Sequence, residues 1–463
     1  MLKVISISNY KGFYKPETIN FSIPDNEKPG SGLTLIVGPN NTGKTTVIEA
    51  LLLNNTTKKF KVTERHNDNP VIKIENSSGQ ITEYTNINNG SAIHMTGKEH
   101  NIKFELIPSR RFWSHQFNGE WEFNTLINES SNSDVRNSNP FNLGPMLKKI
   151  LTTEVLKEKF DSSIKEIIPH FTDWTMDTNE ANQDFIKYKT IDGWHQANLL
   201  GDGIISLFRI VAHLTHDEKS TFIIDEPELS LHPSAQKRLS AVLSKLSKNK
   251  QIIVCTHSPY FVDWSDFING AKIIRLNKNH EKCVVNELNN TKDYSKFISQ
   301  NFNEFEKPQL LDTSAKEILF SDKILFLEGQ EDVGILKKWI IKEKKQVSFE
   351  IFGYGVGGET NMTLFLELAK DLGLEKVAAL YDSNSISFIT NEKTYKQQFL
   401  LKKLPTEDIR EKVNHCKDIK CPYGKNRNGT FASNGDIKPE FKEKFEILFD
   451  EISNYFNSSK TPQ

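Results

Sequence analysis

The chain has 463 residues, a length at which we expect two domains rather than one. Its formal net charge of −1 excludes a global basic field, so any nucleic-acid surface must be a local patch. Four cysteines are too few for a disulfide scaffold and fit a reducing compartment. Because no apolar run approaches the length of a membrane span, we expect a cytoplasmic protein with no membrane contact.

The first predicted site follows an apolar run, Leu33 to Val37, which predicts a buried strand. The next eight residues read GPNNTGKT and fit the pattern G-x-x-x-x-G-K-[ST], and a helical pattern starts at Val47. Backbone N–H groups of such a loop and the positive end of the helix bind the phosphates of ATP. Lys44 is predicted to contact the β and γ phosphates, and Thr45 to give its hydroxyl to Mg²⁺. The predicted nucleotide contacts are Gly38, Asn40, Asn41, Gly43, Lys44, Thr45 and Thr46.

The segment after this loop is polar and rich in Asn. Two alternating runs around residues 76–79 predict a β-hairpin within residues 71–84. Residues 127–142 are predicted to form an exposed loop, and residues 143–168 to form a helix. Two strands are predicted within residues 173–199, around a turn at Asp192 and Gly193.

A second buried strand ends in two carboxylates, Asp225 and Glu226. A carboxylate at this position can hold the water shell of Mg²⁺, the role predicted for Asp225, while Glu226 can act as general base for the attacking water. A further strand, residues 251–256, is followed by His257, which is predicted to contact the γ-phosphate. In open α/β sheets ligands bind at the carboxyl ends of strands. Taken singly, the acidic pair also fits an ordinary strand end and His257 also fits a structural histidine.

A second α/β unit is predicted from about residue 322 to 385, followed by a Lys-rich tail and an amphipathic helix over residues 438–456. One of its strands ends at Glu328, with Asp332 in the helix that follows, and another ends at Asp382. Acids at the carboxyl ends of parallel strands can share Mg²⁺ or Mn²⁺ acting on a phosphodiester. These carboxylates also fit a plain α/β domain with solvated strand ends.

The order of the motifs resembles the ABC-type ATPase head shared by the recombination, chromosome-condensation (SMC) and OLD (overcoming lysogenization defect) families. The resemblance rests on residues 7–13 (ISNYKGF), on residues 225–228 (DEPE, like Walker B), on residues 230–233 (SLHP, like a D-loop) and on His257. It implies a signature loop that completes the nucleotide site of a second subunit, for which the candidate residues are Gly201, Asp202 and Gly203. Gly201 stands where many relatives have Ser, and a plain glycine turn before a helix fits this stretch equally well. The resemblance also implies a homodimer or higher homo-oligomer formed through the ATPase heads.

The second unit resembles a TOPRIM (topoisomerase–primase) domain, and its fusion to an ATPase head resembles the OLD family. This resemblance implies metal ligands at Glu328, Asp332 and Asp382. Asn384 departs from the usual Asp-x-Asp, and the loss of one carboxylate weakens magnesium binding. The unit is therefore an active nuclease, a degenerate TOPRIM domain kept for assembly, or an unrelated α/β domain, and the second reading is favoured.

We therefore predict an α/β protein with an ABC-type P-loop ATPase head over residues 1–300 and a smaller TOPRIM-like domain over residues 315–463. The resemblance implies a role in antiphage defence as an ATPase sensor or scaffold, similar to the ATPase subunit of PARIS-type systems. A separate TOPRIM-type nuclease would then be the effector, and a nucleic acid or a phage protein the trigger. The alternatives are an OLD-type nuclease gated by ATP and a recombination-type DNA-binding head without effector chemistry.

Overall fold

The computed structural model describes residues 1–55, 68–86, 93–97, 102–109, 143–178, 180, 184–196, 202–215, 221–279, 282–288, 292–304, 313–411, 428–432 and 434–458. Contacts along the backbone divide the chain into two compact units, Met1–Glu287 and Leu288–Gln463. The predicted 127–142 loop lies outside the described residues. Within the described ranges, no helix combines the length and the apolar character needed to cross a bilayer.

The first unit contains both strands and helices. Its strands are β1 (Leu2–Ser8), β2 (Glu17–Asn20), β3 (Leu33–Val37), β4 (Val71–Asn76), β5 (Ile81–Asn86), β6 (Ile93–Gly97), β7 (Phe104–Ile107), β8 (Phe171–Thr178), β9 (Asp184–Thr190), β10 (Gly193–Gln196), β11 (Thr221–Asp225), β12 (Gln251–Cys255), β13 (Lys272–Asn279) and β14 (Lys282–Glu287). Its helices are α1 (Lys44–Leu51), α2 (Leu143–Thr152), α3 (Glu154–Ile167), α4 (Asp202–Thr215), α5 (Pro233–Ser247) and α6 (Trp264–Ile268).

A six-stranded sheet of order β14-β13-β3-β12-β11-β7 forms the centre of the first unit. Every neighbouring pair in it is parallel except β13–β14. Strands β3, β11 and β12 are buried along their whole length, which is why they read as continuous apolar runs in the sequence. In register, Asp225 lies opposite Cys255, and Cys255 lies opposite Ile36. The three loops that follow these strands therefore start at the same edge of the sheet.

An antiparallel sheet of order β2-β1-β4-β5-β6 lies beside it, and the predicted hairpin over residues 71–84 is confirmed by the β4–β5 pairing. The two sheets share one apolar core, in which Ile7 and Ile74 pack with Val47 and Ile253. A buried amide also joins them. Gln251 accepts the N–H of Leu2 at 2.9 Å through Oε1 and donates through Nε2 to the carbonyl of the same residue at 2.6 Å.

Two helices and a small sheet precede α4. The single helix predicted over residues 143–168 is wrong, because Thr153 takes an extended backbone (φ −119°, ψ 106°) and separates α2 from α3. The two strands predicted within residues 173–199 are three, in the order β10-β9-β8, and the turn at Asp192 is confirmed. Phe160 of α3 lies with ring centroids 5.2 Å from Phe208 of α4 and 4.9 Å from Trp174 of β8, which fixes these elements together.

The second unit has a four-stranded parallel sheet of order β16-β15-β17-β18 and a short parallel pair, β19–β20. Its strands are β15 (Lys323–Leu327), β16 (Glu350–Ile351), β17 (Lys376–Tyr381), β18 (Leu400–Lys403), β19 (Asp408–Arg410) and β20 (Gly429–Phe431). Its helices are α7 (Asp293–Glu304), α8 (Thr313–Lys316), α9 (Gln330–Lys342), α10 (Glu359–Asp371), α11 (Ser387–Tyr395) and α12 (Pro439–Asn457). The predicted start near residue 322 and the predicted last helix agree with β15 and α12.

The boundary between the units lies earlier than the sequence indicates. Most of helix α7 falls within residues 1–300, the span predicted for the first domain, yet the helix belongs to the second unit. Tyr294 donates its hydroxyl to Asp371 of α10 at 3.0 Å, and Lys292 pairs with Glu367 of the same helix at 3.2 Å. These contacts place the segment after Leu288 with the second unit.

Candidate nucleotide-binding site

The loop between β3 and α1 has a backbone that only a few residue types adopt. Gly38 has φ +136° and Gly43 has φ +104°, both in the region that favours glycine. A Cβ on Gly38 would lie 2.3 Å from the carbonyl oxygen of Leu276, and one on Gly43 would lie 2.9 Å from Sγ of Cys283. Asn41 is also left-handed, with φ +62°. Glycine is thus required at positions 38 and 43 for two reasons: neighbouring atoms leave no room for a Cβ, and the backbone conformation favours glycine.

Lys44 is buried at the start of α1, with 6% of its surface exposed. Its Nζ donates to the carbonyl of Gly38 at 2.8 Å and to that of Pro39 at 2.7 Å, so the side chain curls back over its own loop. Burial lowers the pKa of the Lys44 ammonium to about 8, while the acidic groups of Cys255 and Glu226 act in the opposite direction. Lys44 is therefore charged at neutral pH and faces the strand ends that carry the carboxylates.

The predicted carboxylates follow at the end of β11. Asp225 is buried, with 4% exposed, whereas Glu226 reaches the surface. Glu226 has φ +46°, a conformation that is uncommon and strained for a residue other than glycine. Its N–H donates to the carbonyl of Cys255 at 2.8 Å, which extends the pairing of β11 and β12 by one residue. The strand thereby holds Glu226 in place although its backbone is strained.

His257 lies two residues beyond β12 and contacts both Glu226 and the phosphate loop. Its Nε2 is 3.7 Å from Oε1 of Glu226, and its ring is hydrogen-bonded to the backbone of Gly38. Burial, and then the positive charge of Lys44, lower the pKa of His257 to about 4. The imidazole is therefore neutral at pH 7. The structure brings Lys44, Glu226 and His257 together at one sheet edge, as the order of the motifs indicates.

Glu228 belongs to this site although the sequence analysis gave it no role of its own. Its Oε1 accepts the N–H of His257 at 2.6 Å and its Oε2 accepts the hydroxyl of Thr256 at 2.8 Å. Burial raises the pKa of Glu228, and the hydrogen bond from His257 acts against that rise. The only signal in the sequence is a second Glu directly after the Glu-Pro pair, which does not identify its partner.

The candidate signature loop is only partly described. Gly201 lies outside the described residues, Asp202 is the first residue of α4, and Gly203 follows it in the first turn. A Cβ on Gly203 would lie 2.4 Å from the carbonyl oxygen of Ser230, which itself has φ +63°. The start of α4 therefore packs directly on the turn of residues 229–232, and glycine is needed at this contact.

The residues present fit ATP and Mg²⁺. The loop offers the backbone cradle that glycines make possible, and Thr45 lies in the first turn of α1 behind it. Asp225 supplies a carboxylate at the end of the adjacent strand, the hard oxygen donor that Mg²⁺ prefers. Thr46 is buried behind the loop, and Asn40 is exposed at its tip.

In the second unit, two of the predicted metal ligands, Glu328 and Asp332, accept hydrogen bonds from neighbouring residues. Glu328 accepts the N–H of Asp382 at 3.0 Å and the hydroxyl of Ser385, and burial raises the pKa of Glu328. Asp332 caps α9 by accepting the N–H of Gly329 at 2.7 Å. Among the side chains that the structure describes, no group of three His, Cys, Asp or Glu residues is placed to hold a metal ion. The shared metal site of this unit stays a prediction.

Two family models match the first unit. One, described as an AAA domain of a putative AbiEii toxin in a Type IV TA system, matches residues 98–263. The other, described as an AAA ATPase domain, matches residues 1–143. The first match contains Asp225, Glu226 and His257, and the second contains the whole phosphate loop.

Curated relatives also match parts of the chain. The OLD nuclease of Thermus scotoductus is 31% identical over 162 residues, which are 33% of this chain and 30% of the relative. The Endonuclease GajA of Bacillus cereus (strain HuB5-5) is 26% identical over 299 residues, 56% of this chain and 43% of the relative. The chain thus spans less than half the length of the curated relatives it matches.

Solved SMC head domains align with the chain at low identity. The head domain from Thermotoga maritima is 15% identical, with 62% of this chain and 99% of that chain covered and a TM-score of 0.38. A head domain with an extended coiled coil from Pyrococcus furiosus is 12% identical, with 66% and 99% covered and a TM-score of 0.44. The family and sequence matches show that the first unit of this chain is similar to AAA ATPase domains, and that part of the chain is similar to the OLD nuclease and GajA relatives.

Proposed function

We propose that this protein binds ATP with Mg²⁺ at residues 38–46 and hydrolyses it. The observation that carries the proposal is the meeting of Lys44, Glu226 and His257 at one edge of the central sheet. Lys44 would release the carbonyls of Gly38 and Pro39 and hold the phosphates. Thr45 and Asp225 would hold Mg²⁺, which supplies neutralising charge next to the phosphate oxygens when it is bound.

Glu226 is the residue proposed to accept the proton of the attacking water. Its side chain is 34% exposed, so water reaches the carboxylate, and its strained backbone is fixed by the hydrogen bond to Cys255. His257 stays neutral and carries a single ring N–H, and its hydrogen bond to the backbone of Gly38 would orient the ring beside the phosphates. Glu226 would thus accept the proton, and His257 would help to orient the phosphates.

The proposed active form is a homodimer or higher homo-oligomer of ATPase heads. Residues 201–203 of one subunit would complete the nucleotide site of another. The contact of Gly203 with the Ser230 carbonyl supports this, because it ties the start of α4 to the turn beside Glu226 within each subunit. Native mass spectrometry with and without ATP tests the association, and no change in mass would contradict it.

The biological role we propose is that of an ATPase sensor or scaffold in antiphage defence, which holds or controls a separate effector nuclease. The description of the AAA model as part of a toxin system and the nuclease names of the relatives support it. Asn384 supports a separate effector, since it replaces one of the carboxylates that an intrinsic nuclease would use. The trigger would be a nucleic acid or a phage protein.

The experiment that tests the proposal is ATP turnover by the purified chain with Mg²⁺, followed by copurification with the products of neighbouring genes. We expect turnover that stops in Glu226→Gln and a mass that changes with ATP. A chain that binds ATP but never hydrolyses it would contradict the catalytic assignment. A chain that binds no ATP would overturn the whole proposal.

A second candidate function is an ATP-gated, metal-dependent DNA nuclease in the second unit. The hydrogen bond from the Asp382 N–H to Glu328 favours it, because it brings the two strand-end acids together. Plasmid nicking with Mg²⁺ or Mn²⁺ distinguishes the two functions. Nicking that disappears in Asp382→Ala would establish the nuclease, and the absence of nicking in a preparation that hydrolyses ATP would favour the separate effector.

A further inference from the structure

The turn after Glu226 is connected to the histidine loop by a second set of hydrogen bonds. Gln236, on the first turns of α5, donates through Nε2 to the carbonyl of Leu231 at 2.8 Å. Its Oε1 accepts the hydroxyl of Ser258 at 2.6 Å. Gln236 and Ser258 are both buried, with 9% and 6% exposed, so these bonds are shielded from competing water.

Ser258 is in turn fixed to the loop that carries His257. Its N–H donates to Oγ1 of Thr256 at 3.0 Å, and its own Oγ accepts the N–H of Tyr260 at 3.2 Å. Thr256 also donates to Glu228. Two links therefore join residues 228–231 to residues 256–258, one through the carboxylate of Glu228 and one through the amide of Gln236.

The turn of residues 229–232, at the other end of these hydrogen bonds, is partly exposed at the surface. Leu229 is 42% exposed and Ser230 has φ +63°, while the carbonyl of Ser230 lies against Gly203 of α4. A shift of this turn, such as one caused by the approach of another subunit, would reach both the Leu231 carbonyl and the Glu228 carboxylate. The Leu231 carbonyl is connected to Ser258 through Gln236, and the Glu228 carboxylate bonds Thr256 and the N–H of His257.

We propose that Gln236 and Glu228 are positioning residues that transmit the position of the 229–232 turn to His257. The inference rests on the proposed ATPase function and deepens it. Neither residue lies in the phosphate loop, so their loss leaves ATP affinity unchanged and slows the hydrolysis step. Gln236 acts through Ser258, and Glu228 acts through the N–H of His257 itself.

The test compares Gln236→Ala with Ser258→Ala, which removes the hydroxyl that donates to Gln236 and also its bond from the N–H of Tyr260. Binding is measured with a fluorescent ATP analogue, and the chemical step is measured as the single-turnover rate. We expect a change in Kd of less than about twofold and a fall in rate of about tenfold for each variant. Glu166→Gln, which alters a surface pair with Lys245, is the matched control and should change neither quantity.

A double-mutant cycle separates positioning from a general structural effect. If Gln236 acts through the imidazole, Gln236→Ala should not slow His257→Ala any further. A further tenfold loss in that background, or an unchanged rate in both Gln236→Ala and Ser258→Ala, would overturn the inference while the ATPase proposal stands. A wild-type protein without turnover would overturn both. If Gln236→Ala lowers the melting temperature strongly, Ser258→Ala decides alone.

Discussion

The Nε2 of His257 lies 3.7 Å from Oε1 of Glu226, at the edge where β11 and β12 end. The two residues are far apart in the sequence, and parallel pairing of their strands is what brings them together. Because the pKa of His257 is lowered to about 4, the contact joins a neutral ring to the glutamate rather than two opposite charges.

We expect Glu226→Gln to retain ATP affinity and to lose turnover by about 10²-fold or more, since the amide cannot accept a proton. Calorimetric titration and a phosphate-release assay measure the two quantities. Glu75→Gln, which alters a surface pair with Lys3, serves as the control and should behave like the wild type. Turnover within a few-fold of wild type would remove Glu226 from the role of base.

We expect Lys44→Met to abolish ATP binding, because it removes the buried charge while keeping most of the side-chain volume. The substitution also removes the Lys44 donor from the carbonyls of Gly38 and Pro39, although Pro39 keeps the hydroxyl of Thr42, so thermal unfolding must be recorded beside the titration. Lys245→Met, at an exposed lysine, is the matched control. An unchanged titration in a folded Lys44→Met protein would contradict the assignment of the whole site.

The neutral state of His257 predicts a dependence of stability on pH. Below its ordinary pKa of 6.5 the unfolded chain takes up a proton that the folded site refuses until about pH 4. Stability therefore falls as pH drops from 6.5 toward 4 and is unaffected by this group at higher pH. Between about pH 7 and pH 5, we expect wild type to lose about 1–2 kcal/mol relative to His257→Asn in urea unfolding. The exposed His94→Asn should track the wild type, and a constant difference between wild type and His257→Asn would refute the shift.

The contact between Gly203 and Ser230 predicts opposite effects for two helical glycines. Gly203→Ala places a Cβ 2.4 Å from the Ser230 carbonyl, so we expect a loss of about 1–3 kcal/mol in the free energy of unfolding. Gly334→Ala on α9 meets no atom within 4 Å and should stabilise by about 0.5–1 kcal/mol, because alanine favours helix. Denaturant unfolding of both variants tests the pair. Equal changes in the free energy of unfolding would show that the turn at Ser230 moves aside without an energetic cost.

Much of the first site can be predicted from sequence because its parts are local. The phosphate loop, the acidic strand end and His257 each follow a short apolar run, and buried parallel strands are apolar along their whole length. Parallel packing then places their ends at one edge. The break between α2 and α3 was missed because Thr153 lies within an otherwise helical pattern and its extended backbone has no strong local signal.

The role of Glu228 could not be predicted for a different reason. Its partner is a backbone N–H 29 residues away, and a backbone N–H is the same for almost every residue type. The same holds for Gln236, which accepts from one side chain and donates to a backbone carbonyl. Contacts of this kind depend on how closely two loops approach each other in the fold, and a sequence motif carries no information on that distance.

The bonds from Lys44 to its own loop have a consequence for ligand choice. Two of the three N–H donors of Lys44 already bond the carbonyls of Gly38 and Pro39, so an incoming anion finds one donor available and gains only the difference between old and new partners at the other two. We expect a chain of three phosphates to gain more than a single phosphate or sulfate ion, because it brings more oxygens to the backbone N–H groups of the loop. We therefore expect the site to bind ATP more tightly than inorganic phosphate or sulfate.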